Sequence, residues 1–169
     1  AYHAIPDFAT ASGMPTGALY GLSNMVFKVV DELNPDYIIA VRDMPGGTFR
    51  DKLFEDYKAT RVDIDPALLE QLKRAPEIFE AFHIPVYGVV GYEADDLLGT
   101  IVVQLKKRKD LEIIIATGDK DIFQLIEGER VRVYYLRQGI NDTQFYDSLQ
   151  VFERYGFGPT NVIDFKGLR

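Results

Sequence analysis

Hydrophobic positions along the chain follow two rhythms. Short apolar runs at Tyr37–Arg42, Pro85–Val89, Glu112–Ala116 and Val131–Leu136 have the length and β-branched content of buried strands. Between them, apolar residues return every three or four positions. Leu19, Leu22, Val26, Val29, Val30 and Leu33 form one helical face after Pro15. Asn34-Pro35 ends that helix, because the residue before a proline is pushed out of the α region. Asp65-Pro66 supplies an N-cap and a first-turn proline for a helix with Leu68, Leu69, Leu72, Phe79 and Phe82 inward. Pro76 is expected to break or kink it. Ala94, Leu97, Leu98, Ile101, Val102 and Leu105 keep a 3.6-residue period, so Glu93-Ala94-Asp95-Asp96 opens a third helix. Two more are expected near Asp147–Tyr155 and Asn161–Leu168. Strands alternating with helices predict an α/β fold, a parallel sheet with crossover helices.

At 169 residues and 47% hydrophobic content, the chain has the length of one ordinary domain with a real core. No apolar run approaches the length of a membrane span, and no opening stretch has signal-peptide character. There are no cysteines and only two histidines, His3 and His83, which argues against thiolate sites and zinc. Oxygen ligands point instead to magnesium or manganese.

Acidic residues stand just past three of the strand-like runs. Asp43 follows Val41-Arg42; Glu93, Asp95 and Asp96 follow the second run; Asp119 and Asp121 lie in Thr117-Gly118-Asp119-Lys120-Asp121. Strand ends on one edge of a parallel sheet face the same crevice, where α/β folds bind ligands. Carboxylates gathered there repel one another unless cations hold them. Two Mg²⁺ ions, with Mn²⁺ as a substitute, clamp the attacking and leaving oxygens of a phosphodiester in this kind of setting. Each cluster also has a plainer reading. Glu93–Asp96 suits a helix first turn, where the dipole favours acids. Asp119 suits an N-cap after a glycine turn, and Asp43 a turn residue before Pro45-Gly46-Gly47. The net charge of −7 falls mostly on these residues: setting six of the 26 acids aside leaves 20 against 19 bases. Overall acidity is therefore weak evidence against a nucleic-acid partner.

Beyond Asp43, Arg50, Phe54, Tyr57, Lys58 and Arg61 fall within one helical stripe about 100° wide, with Glu55 and Asp56 outside it. Cations interleaved with aromatic rings suit a nucleic-acid backbone with stackable bases. An amphipathic helix with buried rings and snorkelling cations fits the same pattern. The basic run Lys106-Lys107-Arg108-Lys109 reads as a solvated helix end.

Five ordered motifs then align with one family. Pro15-Thr16-Gly17-Ala18-Leu19-Tyr20-Gly21, Thr48-Phe49-Arg50 with Tyr57-Lys58 and Arg61, Gly91-Tyr92-Glu93-Ala94-Asp95-Asp96, Thr117-Gly118-Asp119-Lys120-Asp121, and Gly139-Ile140 with Tyr146-Asp147 carry the match. Along its whole length the chain resembles the 5′-nuclease domain at the front of bacterial DNA polymerase I, within the flap endonuclease superfamily. The resemblance implies a PIN-like parallel sheet flanked by helices, with a helical gateway insertion spanning Arg50 to about Arg74. It implies two-metal hydrolysis of DNA at 5′ flaps and 5′ ends, in the bacterial cytoplasm, with a polymerase domain as a covalently linked partner. Asp43, Glu93, Asp95, Asp96, Asp119 and Asp121 become metal-site carboxylates by that resemblance. Arg50, Tyr57, Lys58 and Arg61 become DNA contacts, with Lys58 and Arg61 nearest the chemistry. Family members also carry an earlier strand with a further metal-binding Asp, and later a Gly-Asp-x-x-Asp-Asn motif and a DNA-gripping helix-hairpin module. Neither is in this sequence, so residues 1–169 read as an incomplete catalytic domain of low activity. Other readings stand beside this one: a free-standing nuclease of the same type, and a catalytically silent nucleic-acid-binding fragment. A Rossmann-like cofactor enzyme lacks its Gly-x-Gly-x-x-Gly loop.

Overall fold

The computed structural model describes residues 8–54, 64–138 and 142–168. The chain divides into two units, Ala1–Leu97 and Leu98–Arg169.

In the first unit, helix α1 (Gly17–Leu33) leads to strand β1 (Ala40–Val41), the short helix α2 (Phe49–Leu53), helix α3 (Pro66–Ala81) and strand β2 (Val86–Tyr87). α1 stops as its sequence predicts, with Asn34 in the left-handed region at φ 40° and its N–H bonded to the Val30 carbonyl. β1 and β2 pair in parallel, Ala40 opposite Val86 and Val41 opposite Tyr87. The ladder is shorter than the apolar runs that predicted it. Tyr37 is 85% exposed, outside the paired segment.

Asp65 caps α3 as expected, its carboxylate accepting from the Ala67 N–H at 2.7 Å. Pro76 does not break the helix, which runs on to Ala81. The inward face also differs from the periodicity: Leu69 and Leu72 are exposed, and the buried residue is Gln71. Its chemistry explains the exchange. Gln71 Oε1 accepts from the Ala18 N–H at 2.8 Å and the Leu19 N–H at 3.4 Å, while its Nε2 donates to the Ala67 carbonyl at 3.1 Å. Thr16, at the N-cap of α1, makes no side-chain cap bond. Gln71 therefore satisfies first-turn donors that a helix cannot satisfy internally. Gln71→Leu keeps the volume and strands those donors, so it is expected to cost about 1–3 kcal/mol. A lowered urea midpoint at unchanged slope is the readout.

Gly88 closes β2 against the end of β1. A Cβ there would stand 2.6 Å from Met44 Sδ and 3.0 Å from the Arg42 carbonyl oxygen. The Met44 side chain can swing away, but the carbonyl belongs to the backbone that carries Asp43. Gly88→Ala is expected to destabilise by about 1–3 kcal/mol, lowering the melting temperature by about 2–4 °C per kcal/mol.

Helix α4 (Ala94–Leu105) runs from the first unit into the second. There follow strand β3 (Ile113–Thr117), a 3₁₀ helix (Lys120–Leu125), strands β4 (Val131–Gln138) and β5 (Asp142–Tyr146), helix α5 (Ser148–Tyr155), a 3₁₀ turn (Pro159–Asn161) and helix α6 (Val162–Gly167). β3 and β4 are parallel, from Ile113 opposite Val131 to Thr117 opposite Tyr135. β5 adds antiparallel to β4, with an irregularity between Leu136 and Gln138. This sheet is thus mixed rather than wholly parallel. β5 escaped the hydrophobic pattern because Tyr146 alone of its five residues is buried. The core of this unit gathers Phe123, Val131, Val133 and Val151, each with no exposed surface, around the Tyr146 ring. The Phe123 and Tyr146 ring centroids are 4.5 Å apart. α5 begins on a capping box, Asp147 accepting from the Leu149 and Gln150 N–H groups, and ends at Gly156 with φ 76°.

Candidate metal centre

Because β1 and β2 are parallel neighbours, the segments leaving their carboxyl ends meet. Asp43, two residues past β1, accepts from the Ala94 N–H through Oδ1 at 2.7 Å. Ala94 is the first residue of α4, and Asp95 and Asp96 complete its acidic first turn. Asp96 reaches back through Oδ2 to the Glu93 N–H at 3.0 Å. Both Asp96 oxygens also accept from the Arg50 guanidinium, Nη1 and Nη2 each at 2.7 Å. Arg50 Nη1 lies 4.0 Å from a Glu93 carboxylate oxygen, and the Glu93 side chain is 14% exposed. The first two acidic clusters therefore come together at the amino end of α4, where free N–H groups and the helix dipole both favour negative charge. Asp96 lies opposite the apolar stripe of α4 and takes part only because it sits at the helix end.

Arg50 is positioned by its own short helix. Thr48 and Asp51 form a capping box at the start of α2. The Phe49 N–H donates to the Gly91 carbonyl at 3.1 Å, and the Phe49 and Tyr92 ring centroids are 5.7 Å apart. The guanidinium carbon stands 4.5 Å from the Phe49 ring centroid. Of the cationic-aromatic stripe, α2 holds only Arg50. It ends at Leu53, and Phe54 is extended at φ −138°, ψ 107°. Leu53 and Phe54 are 67% and 66% exposed. Tyr57, Lys58 and Arg61 lie outside the described residues.

The third acidic cluster belongs to the second unit. Thr117 Oγ1 accepts from the Asp119 N–H at 3.0 Å, and Asp119 Oδ1 accepts from the Asp121 N–H at 2.8 Å. Asp119 thus caps the 3₁₀ helix in the way its turn predicts. Gly118 does not adopt a positive φ; what it permits is closeness, since a Cβ there would lie 3.4 Å from the Leu136 carbonyl oxygen. Asp121 forms an ion pair with Lys166 of α6. Lys166 carries no sequence signal, because only the packing of α6 beside the 3₁₀ helix brings it there.

Two of the three clusters thus hold a basic side chain against a carboxylate, Arg50 on Asp96 and Lys166 on Asp121. Among the described residues, no three acidic or imidazole side chains stand together as a cage for a metal ion.

Residues 1–156 match the family model described as the 5′-3′ exonuclease, N-terminal resolvase-like domain. The chain belongs to this family. DNA polymerase I of Bacillus subtilis (strain 168) is 34% identical over 168 residues, which cover 99% of this chain and 19% of the relative. The chain spans about a fifth of the length of the curated relatives it matches. Among solved structures, phage T5 5′-exonuclease with divalent zinc ions bound superposes with a TM-score of 0.61 at 18% identity, covering 81% of this chain and 52% of that one. The bacteriophage T5 flap endonuclease, in a pseudo-enzyme–product complex with DNA and metal ions, gives 0.63 at 18% identity, covering 87% and 55%. The fold is accordingly the PIN-like α/β fold of the 5′-nucleases, with parallel strand pairs flanked by helices.

Proposed function

We propose that this 5′-3′ exonuclease-family chain carries the phosphodiester-cleaving residues of a structure-selective 5′-3′ exonuclease and flap endonuclease. It acts on DNA with 5′ flaps or 5′ ends in bacterial replication and repair, with a polymerase domain as its covalent partner. One observation carries this reading: Asp43 and the Glu93–Asp96 cluster meet at the amino end of α4, with the Arg50 guanidinium seated on Asp96.

The donors suit hard divalent cations. They are all carboxylate oxygens, and a guanidinium and an ammonium already take the place of positive charge on Asp96 and Asp121. Asp43, Glu93, Asp95 and Asp96 in the first unit, and Asp119 and Asp121 in the second, would each serve as carboxylate ligands for Mg²⁺, with Mn²⁺ as a substitute. Such ions supply Lewis-acid charge on the phosphate and a water of lowered pKa. The protein's own cations do the rest. The planar fork of Arg50 matches two oxygens of a phosphate as well as it now matches those of Asp96. On leaving Asp96 it frees that carboxylate and gains an anion of the substrate. Lys58 and Arg61 contact the scissile region of the DNA, with Lys58 nearest the reacting phosphate, and the Tyr57 ring stacks on a base. The clustered carboxylates repel a phosphate held against them unless divalent ions offset them, which ties placement of the scissile bond at these residues to metal loading.

The absence of a three-acid cage among the described residues favours one other reading, a catalytically silent DNA-binding fragment. A magnesium-dependent assay on a flap substrate, run beside a plain duplex-binding assay, separates the two. Cleavage that stops with chelator supports the nuclease; duplex binding with no cleavage at any magnesium concentration supports the fragment. Lys58→Ala is expected to slow flap cleavage far more than it lowers stability, and to flatten the salt dependence of binding by about one unit of slope. Unchanged cleavage in that variant would remove Lys58 from the site.

A further inference from the structure

The second unit contains a cleft that the acidic clusters do not account for. Its volume is about 580 Å³, within the range of ordinary ligand sites, and Lys120, Arg154, Tyr155, Phe157, Phe165 and Lys166 line it. Three cations and three aromatic rings share this lining. Tyr155 and Phe157 are stacked, with centroids 5.6 Å apart and planes 26° apart. Phe165 completes the group at 5.1 Å from Phe157 and 6.0 Å from Tyr155. The Arg154 guanidinium carbon stands 5.4 Å from the Tyr155 ring centroid. Lys120 Nζ is 5.8 Å from the Tyr135 ring, and Lys166 pairs with Asp121. No acid is among the described residues lining the cleft.

We propose that this cleft binds a single strand of DNA, one base lying against the Tyr155–Phe157–Phe165 rings and the flanking phosphates taken by Lys120, Arg154 and Lys166. A packed core alone explains half-buried rings, since Tyr155 and Phe157 also rest on the core cluster. It does not explain why the polar lining of the cleft is three cations of separate elements, with no acid among the described residues there. Lys120 comes from the 3₁₀ helix, Arg154 from α5 and Lys166 from α6. A base offers a flat ring face and its backbone an anion on either side, and this lining complements both. A duplex hides its base faces, so the rings select for an unpaired strand.

The nuclease reading names DNA as the ligand, and the proposal rests on it in that respect alone. The experiment is therefore binding without chemistry. Fluorescence anisotropy of a labelled single-stranded oligothymidylate is measured in chelator, across a salt series, with the full chain and two variants. Phe157→Leu keeps an apolar side chain and removes the ring face, and is expected to weaken binding about tenfold, as loss of one stacked base does. Lys120→Gln removes an exposed charge and is expected to lower the salt slope by about 0.7, the share of one single-strand phosphate contact. A labelled duplex is expected to bind more weakly and to be indifferent to Phe157→Leu. Melting curves show whether each variant is folded, and Lys120→Gln decides the matter if Phe157→Leu is not. Unchanged affinity and slope in the folded variants would overturn the proposal, as would a duplex that depends on Phe157 equally. Flap cleavage measured in parallel keeps the two readings apart. Normal cleavage with indifferent cleft variants sinks this proposal alone, and absent cleavage with ring-dependent strand binding sinks the nuclease reading alone.

Discussion

Asp119→Asn is expected to slow flap cleavage at least about a hundredfold, because a catalytic ion is worth several kcal/mol and each factor of ten takes about 1.4. The chain should melt close to the parent temperature. In the structure Asp119 Oδ1 accepts from the Asp121 N–H as the cap of a 3₁₀ helix. Asparagine caps as well as aspartate, and its amide oxygen accepts that bond equally. The substitution therefore removes the charge and leaves the turn. Asp121→Asn is less clean, since it also breaks the pair with Lys166. Single-turnover cleavage of a 5′-flap substrate at saturating magnesium, with a melting curve beside it, gives both readouts. A folded variant cutting at the parent rate would take Asp119 out of the metal set.

Arg50→Gln is expected to move two quantities in opposite directions. Arg50 now holds both oxygens of Asp96, and with Arg50 29% and Asp96 22% exposed the pair is only half-buried. A charged hydrogen bond of this kind contributes about 1 kcal/mol after discounting for solvent, so releasing Asp96 should tighten Mn²⁺ binding about fivefold. Cleavage should fall about tenfold or more, because the charge-assisted contact to phosphate is gone. Mn²⁺ titration followed by electron paramagnetic resonance, beside flap kinetics, measures the two. If Arg50 only braces the loop, its loss weakens metal binding and cleavage together.

Much of the frame was legible because short-range chemistry wrote it. Asn34-Pro35 ended α1, Asp65-Pro66 opened α3, and the 3.6-residue period from Ala94 gave α4. The acids past β1 and β2 were legible as a pair for a geometric reason, since parallel neighbours place the segments after their carboxyl ends side by side. What the pattern missed depends on contacts distant in sequence. Gln71 is buried because it caps another helix, which no apolar period reports. β5 shows one buried side chain, too little to mark a strand. The stripe from Arg50 to Arg61 has helical spacing, and the described residues cover it only as far as Phe54, with α2 ending at Leu53. Arg50 was legible as a cation near the site, but its seat on Asp96 was not, because the helical wheel alone sets Asp96 opposite the apolar stripe. Lys166 and the aromatic cleft exist only once α5 and α6 are packed beside the 3₁₀ helix.

The most direct test is Mn²⁺ binding to the chain itself, since it does not depend on turnover. Free Mn²⁺ is followed by electron paramagnetic resonance for the parent, Asp43→Asn and Asp119→Asn, each variant keeping its hydrogen bond through the amide oxygen. The expected result is saturable binding by the parent, displaced by Mg²⁺, with affinity about tenfold or more lower in each variant, as loss of a ligand's charge requires. Equal affinity in all three folded proteins, or no saturable binding by the parent, would contradict the assignment of these carboxylates to divalent ions.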